Sequence, residues 1–152
     1  MNNEKAIDAL NSLVEINNDR IEGYETAVNE TEDQDLKSLF SELKATSLHC
    51  RSELSTEVRN LGGTPTEGTR NDGKLYRIWM DIKSALTGKD RKAILNSCEY
   101  GEDKAVEAYQ DVMTNRTDVL SADQQGIVSM QYTKIKEGHD RVRALRDAAS
   151  NS

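Results

Sequence analysis

The 152-residue chain has one proline, Pro65, set in a segment that also holds four of the nine glycines. That segment reads Gly62-Gly63-Thr64-Pro65-Thr66-Glu67-Gly68-Thr69-Arg70-Asn71-Asp72-Gly73. Proline removes an amide donor and clashes with the preceding turn, and each interior glycine costs a helix about 1 kcal/mol, so no helix runs through it. Everywhere else the apolar residues recur at helical spacing. Before the break, Leu10, Leu13, Val14, Ile21, Tyr24 and Val28 form one stripe, and Leu36, Phe40, Leu43, Cys50, Leu54, Val58 and Leu61 form a second. After it, Leu75, Ile78, Trp79, Ile82 and Leu86 mark a shorter helix that ends at Thr87-Gly88, where glycine suits a C-cap. A third long stripe carries Ile94, Leu95, Cys98, Ala105, Tyr109 and Val112, and a fourth carries Ile127, Ile135, Val142 and Leu145. No alternating β pattern competes. The class expected is all-α.

Two sequence signals place the joints. Thr31 with Gln34, and Ser121 with Gln124, have the spacing of capping boxes, so the second and fourth long helices are expected to begin there. Short turns near Asn29–Thr31 and Asn115–Leu120 make two antiparallel hairpins. The crossover, residues 62–88, must then return the chain along the bundle, and a helix of about 14 residues spans roughly 21 Å of that path. Residues 1–152 are thus expected to form a single domain, a four-helix bundle whose long crossover carries a short extra helix. Trp79 and Tyr76 are expected to anchor that helix. Arg141, Arg143 and Arg146 suit the negative end of the last helix, and the acidic run Glu30–Asp35 suits the positive end of the second without needing a partner.

Composition narrows the function. Hydrophobic residues make up 36% of the chain, and no apolar run approaches the roughly 20 residues of a membrane span. The net charge of −7 argues against nucleic-acid binding, which needs surplus Lys and Arg. The start, Met1-Asn2-Asn3-Glu4-Lys5, lacks the layout of a signal peptide, so a cytoplasmic location is expected. Cys50 and Cys98 lie on apolar stripes and read as inert core thiols.

Four stretches carry a resemblance: Leu13-Val-Glu-Ile-Asn-Asn-Asp-Arg-Ile-Glu-Gly-Tyr24, Gly73-Lys-Leu-Tyr-Arg-Ile-Trp79, Leu95-Asn-Ser-Cys-Glu-Tyr-Gly-Glu-Asp103 and His139-Asp-Arg-Val-Arg-Ala-Leu-Arg-Asp147. Together they resemble a small bacterial family of ferritin-like four-helix-bundle proteins without an assigned activity. The resemblance implies a ferritin-like fold and says little of function.

A ferritin-like di-iron site takes a Glu from each of two helices and a Glu-x-x-His from each of the others. The two histidines are His49 and His139; three residues before them stand Thr46 and Lys136, so both pairs are missing. Asn17 holds the mid-bundle position on the first helix. Counting about 1.5 Å per residue, Asn17, Asn18, Ser47, Glu102 and Ile135 share one level, and Glu22, Cys98, Glu99 and His139 lie about one turn away. The candidate polar cluster is therefore Asn17, Asn18, Glu22, Glu99, Glu102 and His139. It reads as a hydrogen-bond network that fixes helix register, with His139 paired to a carboxylate; the alternative is two carboxylates and a histidine holding one divalent metal ion. No catalytic residue, cofactor or resident metal is expected. The function expected is a non-enzymatic structural or stress-related role, through self-association into a homo-oligomer or contacts with other proteins. The alternatives are a degenerate ferritin-like metal-binding or oxidase protein, and a binder of a small apolar ligand.

Overall fold

The computed structural model describes residues 3–68 and 91–150. Four long helices account for most of them: α1 (Glu4–Glu30), α2 (Gln34–Asn60), α3 (Arg91–Asn115) and α4 (Ala122–Ser150). A 3₁₀ turn at Thr117–Val119 joins the last two. No strand occurs among the described residues, and no helix there is long and apolar enough to cross a membrane. The fold is a helical bundle. The expected helix around Trp79, with Tyr76 and Thr87-Gly88, lies outside the described residues.

The stripes behave as their spacing predicts. Leu10, Leu13, Val14, Tyr24, Phe40, Leu54, Leu95, Tyr109, Ile135 and Val142 are buried in one continuous core, whereas Val28, Leu61 and Leu145 pack on its margin. Each fully buried Leu or Ile contributes about 1.5–3 kcal/mol of transfer free energy, so the core alone accounts for the helix pairing. On α4 the buried position is Val128 rather than Ile127, a shift of one residue around the helix.

Both hairpins are antiparallel, and so are their contacts with each other. α1 packs on α2 and α3, and α2 packs on α1 and α4, which leaves α2 and α3 on opposite corners. Asn17 meets Tyr109 and Arg20 meets Glu102, so α1 and α3 run in opposite senses; Gln131 meets the Cys50 carbonyl, and Arg141 meets Glu42, so α2 and α4 do too. Close approach is local. A Cβ on Gly138 of α4 would sit 2.8 Å from the Leu43 side chain of α2, so alanine there would displace a core residue.

The predicted joints are half right. Ser121 and Gln124 form the reciprocal capping box: the Gln124 amide donates to Ser121 Oγ at 3.1 Å, and the Ser121 amide donates to Gln124 Oε1 at 3.0 Å. The box at Thr31 and Gln34 does not form. Gln34 is the first residue of α2, and the N-cap is Asp33, whose carboxylate accepts from the Asp35 and Leu36 amides. Thr31 Oγ1 instead accepts from the Asp33 amide at 3.2 Å. A charged acceptor at the correct offset outcompetes a hydroxyl two residues upstream. Asp33 also has a partner, contrary to the expectation for the acidic run: Arg91 Nη1 lies 2.6 Å from Asp33 Oδ2 and ties the start of α3 to the start of α2.

α2 ends in a Schellman motif. The Gly63 amide donates to the Val58 carbonyl and the Gly62 amide to the Arg59 carbonyl, with Gly62 at φ +86° in the left-handed region that glycine adopts freely. The chain then lies along α1. Asn11 donates to the Thr64 carbonyl and accepts from the Thr66 amide, about two turns before Asn18, which donates to the carbonyls of Thr66 and Gly68.

Candidate functional site

The centre of the bundle is polar, and it is built around a residue that the spacing argument passed over. Arg20 on α1 is 1% exposed, and its guanidinium faces Glu102 of α3, also 1% exposed. Nη2 donates to Glu102 Oε1 at 2.7 Å and Nη1 to Ser47 Oγ of α2 at 2.7 Å. The Tyr24 hydroxyl donates to the same carboxylate oxygen, and the guanidinium carbon lies 5.6 Å from the centre of the Tyr24 ring. Tyr24 in turn stacks on Phe40 with ring centres 5.6 Å apart. Burial by itself would disfavour the guanidinium, but Glu102 outweighs it and holds Arg20 charged above its ordinary range.

A second strand of the network runs to α4. Asn17 Nδ2 donates to the Leu13 carbonyl at 2.8 Å and to Tyr109 Oη at 2.9 Å. Tyr109 donates to Gln131 Oε1 at 2.7 Å, and Gln131 Nε2 reaches the Cys50 carbonyl and Glu53. All four helices are thereby linked through side chains. Burial pushes both Tyr24 and Tyr109 well above the ordinary tyrosine range, so they act as hydroxyl donors and not as phenolates. Three buried atoms, Asn17 Oδ1, Arg20 Nε and Glu102 Oε2, have no protein hydrogen-bond partner among the described residues.

The six residues of the expected cluster therefore divide. Asn17 and Glu102 enter the central network. Asn18 ties the crossover to α1 and accepts from Arg51 at 3.2 Å. Glu22 is exposed. Glu99 and His139 lie together, but away from Glu102, in the groove between α3 and α4. There His139 Nε2 stands 2.5 Å from Asp103 Oδ1 and Nδ1 stands 3.1 Å from Asp140 Oδ1. Lys136 Nζ holds the same Asp140 oxygen at 2.8 Å, and Arg146 pairs with both Glu99 and Asp147. Burial pulls the His139 pKa down, but Asp140 and Asp103 outweigh it and raise it above the ordinary histidine range. The donor atoms of Glu99, Asp103 and His139 all lie within 4.8 Å of one another. His49 is remote from this group; it pairs loosely with Glu53 at 3.5 Å on an exposed face of α2.

Of the family comparisons, the model for a domain of unknown function, DUF2383, matches residues 5–115. The chain belongs to the DUF2383 family. No curated protein matches it. Within this DUF2383 domain the matched stretch spans α1 to α3 and so includes Arg20, Tyr24, Ser47, Glu99, Glu102, Asp103 and Tyr109, whereas Gln131 and His139 lie beyond it on α4.

Sequence reasoning missed Arg20, Tyr109, Gln131 and Asp103 as site residues. For Arg20 a signal existed: it stands three residues from Asn17 and four from Tyr24, the spacing of the buried stripe. For Asp103 the signal was its place four residues after Glu99, on the same helix face.

Proposed function

We propose that this DUF2383 domain is a non-enzymatic bundle with a ferritin-like helix arrangement in which a fixed ion pair takes the place of a central metal pair. The helix order supports the arrangement. Neighbouring helices are all antiparallel, and α2 and α3, joined by the long crossover, run parallel on opposite corners. That is the layout of a bundle with one long crossover. The observation that carries the reading is the buried Arg20–Glu102 pair at 2.7 Å. A guanidinium already bonded to Glu102 repels a divalent cation at this level and occupies the carboxylate that would bind it. Tyr24 and Tyr109, both held protonated, offer no anionic ligand. With its interior closed, the domain works through its outer faces, in a structural or stress-related role in the bacterial cytoplasm, by forming a homo-oligomer or by contacting other proteins. A groove of about 300 Å³ between α1 and α2 is open and carries Glu25 and Lys44 beside Val28 and Leu48, a poor match to an enclosed site for an apolar ligand.

The test is oxidase chemistry. Ferrous iron added in air to the purified chain should oxidise no faster than in buffer alone. Oxidation several-fold faster, lost when Glu102 is replaced by Gln in a protein still helical by circular dichroism, overturns the reading in favour of an interior oxidase site.

A further inference from the structure

The groove between α3 and α4 holds a histidine whose two ring nitrogens face different carboxylates. Nδ1 meets Asp140, which Lys136 fixes from the next turn of the same helix. Nε2 points across the groove to Asp103, and Glu99 stands one turn before Asp103 on α3. We infer that Glu99, Asp103 and His139 are the ligands of a single divalent transition ion, of the zinc or manganese type, that clamps α3 to α4.

Three observations support this. The first is convergence: three donor atoms from two helices lie within 4.8 Å of one another. An ion about 2.1 Å from each of them in tetrahedral geometry holds its ligands about 3.4 Å apart, so side-chain rotation suffices and the helices need not move. The second is the support behind the ligand. A metal-bound histidine characteristically donates its other ring N–H to a carboxylate, which fixes the tautomer and aims the free lone pair; Asp140 holds that place at 3.1 Å and is itself held by Lys136 at 2.8 Å. The third is charge. Among the described residues, Glu99, Asp103, Asp140 and Asp147 pair with Lys136 and Arg146 besides His139 itself, so once the ion displaces the imidazole proton two net negative charges remain for it to cancel. The competitor for Glu99 is Arg146, which keeps Asp147 at 2.8 Å when Glu99 turns to the ion. Imidazole with two carboxylates is a borderline donor set that favours zinc or manganese over magnesium. The site lies outside the Arg20–Glu102 network, so it goes beyond the reading above and does not depend on it.

Isothermal titration of zinc chloride into the full chain, freed of metal by dialysis against chelator, should give one ion per chain. Zinc should also raise the melting temperature. Glu99→Gln, Asp103→Asn and His139→Gln, each checked as folded by circular dichroism, should each weaken binding about tenfold or more. Arg146→Gln, which releases Glu99, should bind more tightly, a gain that loss of structure cannot mimic. His49→Gln should leave binding unchanged. The assignment is overturned by absence of binding at millimolar zinc, by binding that survives His139→Gln, by loss in His49→Gln, or by equal or weaker affinity in Arg146→Gln. Because zinc does not change oxidation state, failure here leaves the ferrous-iron test untouched, and the reverse holds as well.

Discussion

Glu102 sets the protonation of what surrounds it. Its carboxylate holds Arg20 charged, keeps the Tyr24 hydroxyl bound as a donor, and adds its repulsion to burial in pushing the Cys98 thiol far up. Burial likewise raises the Cys50 thiol. Thiolate is the reactive species, so both cysteines should resist a thiol-selective reagent in the folded protein and react together once urea unfolds it. Rapid labelling of either one under native conditions would contradict their place in the core. Residue identity was only partly legible beforehand. Asn17 and Glu102 stood out because counting the rise per residue along the helices puts them at one level of the bundle. Arg20 did not, because arginine so often lies along a surface with its head in water, and only the partner on α3 makes its burial tolerable. Asp103 was hidden for the opposite reason: on its own helix it reads as a solvated acid, and His139 reaches it from 36 residues away.

At the scale of the element, stripes and breaks were legible and caps less so. Periodicity placed four helices because each buries one face, and the glycine pair after α2 marked its end because only glycine takes φ +86° cheaply. The start of α2 was misread by two residues because Thr31, Asp33 and Gln34 all carry capping chemistry, and local spacing cannot say which of them meets Arg91. Asp33 supplies a prediction. Burial raises its carboxyl pKa, but the Leu36 amide, Arg91 and the Asp35 amide outweigh this and lower it. A carboxyl lowered on folding contributes stability above its ordinary value of about 3.9, and loses it as pH falls through the lowered folded value. Asp33→Ala should therefore cost about 0.5–2 kcal/mol at neutral pH, as lost caps do. By urea unfolding, the gap between parent and variant should narrow as the pH falls below the ordinary carboxyl range and through the lowered folded value. A gap that stays constant into acid would show that the cap acts through something other than its charge.

For the whole molecule, the buried network has one proposed role. Apolar stripes hold α1 to α2 and α3 to α4, but such stripes tolerate sliding; in the proposed role the Arg20–Glu102 pair, with Tyr24 and Ser47, fixes how the two hairpins register on each other. A double-mutant cycle by equilibrium urea unfolding, with circular dichroism as the probe, tests this directly. Arg20→Met and Glu102→Leu should each cost about 3–5 kcal/mol, because each strands the opposite charge in the core. The double variant, which strands neither, should lose far less than the sum of the two. Single losses below about 1 kcal/mol, or losses that simply add, would contradict the claim that this ion pair fastens the centre of the bundle.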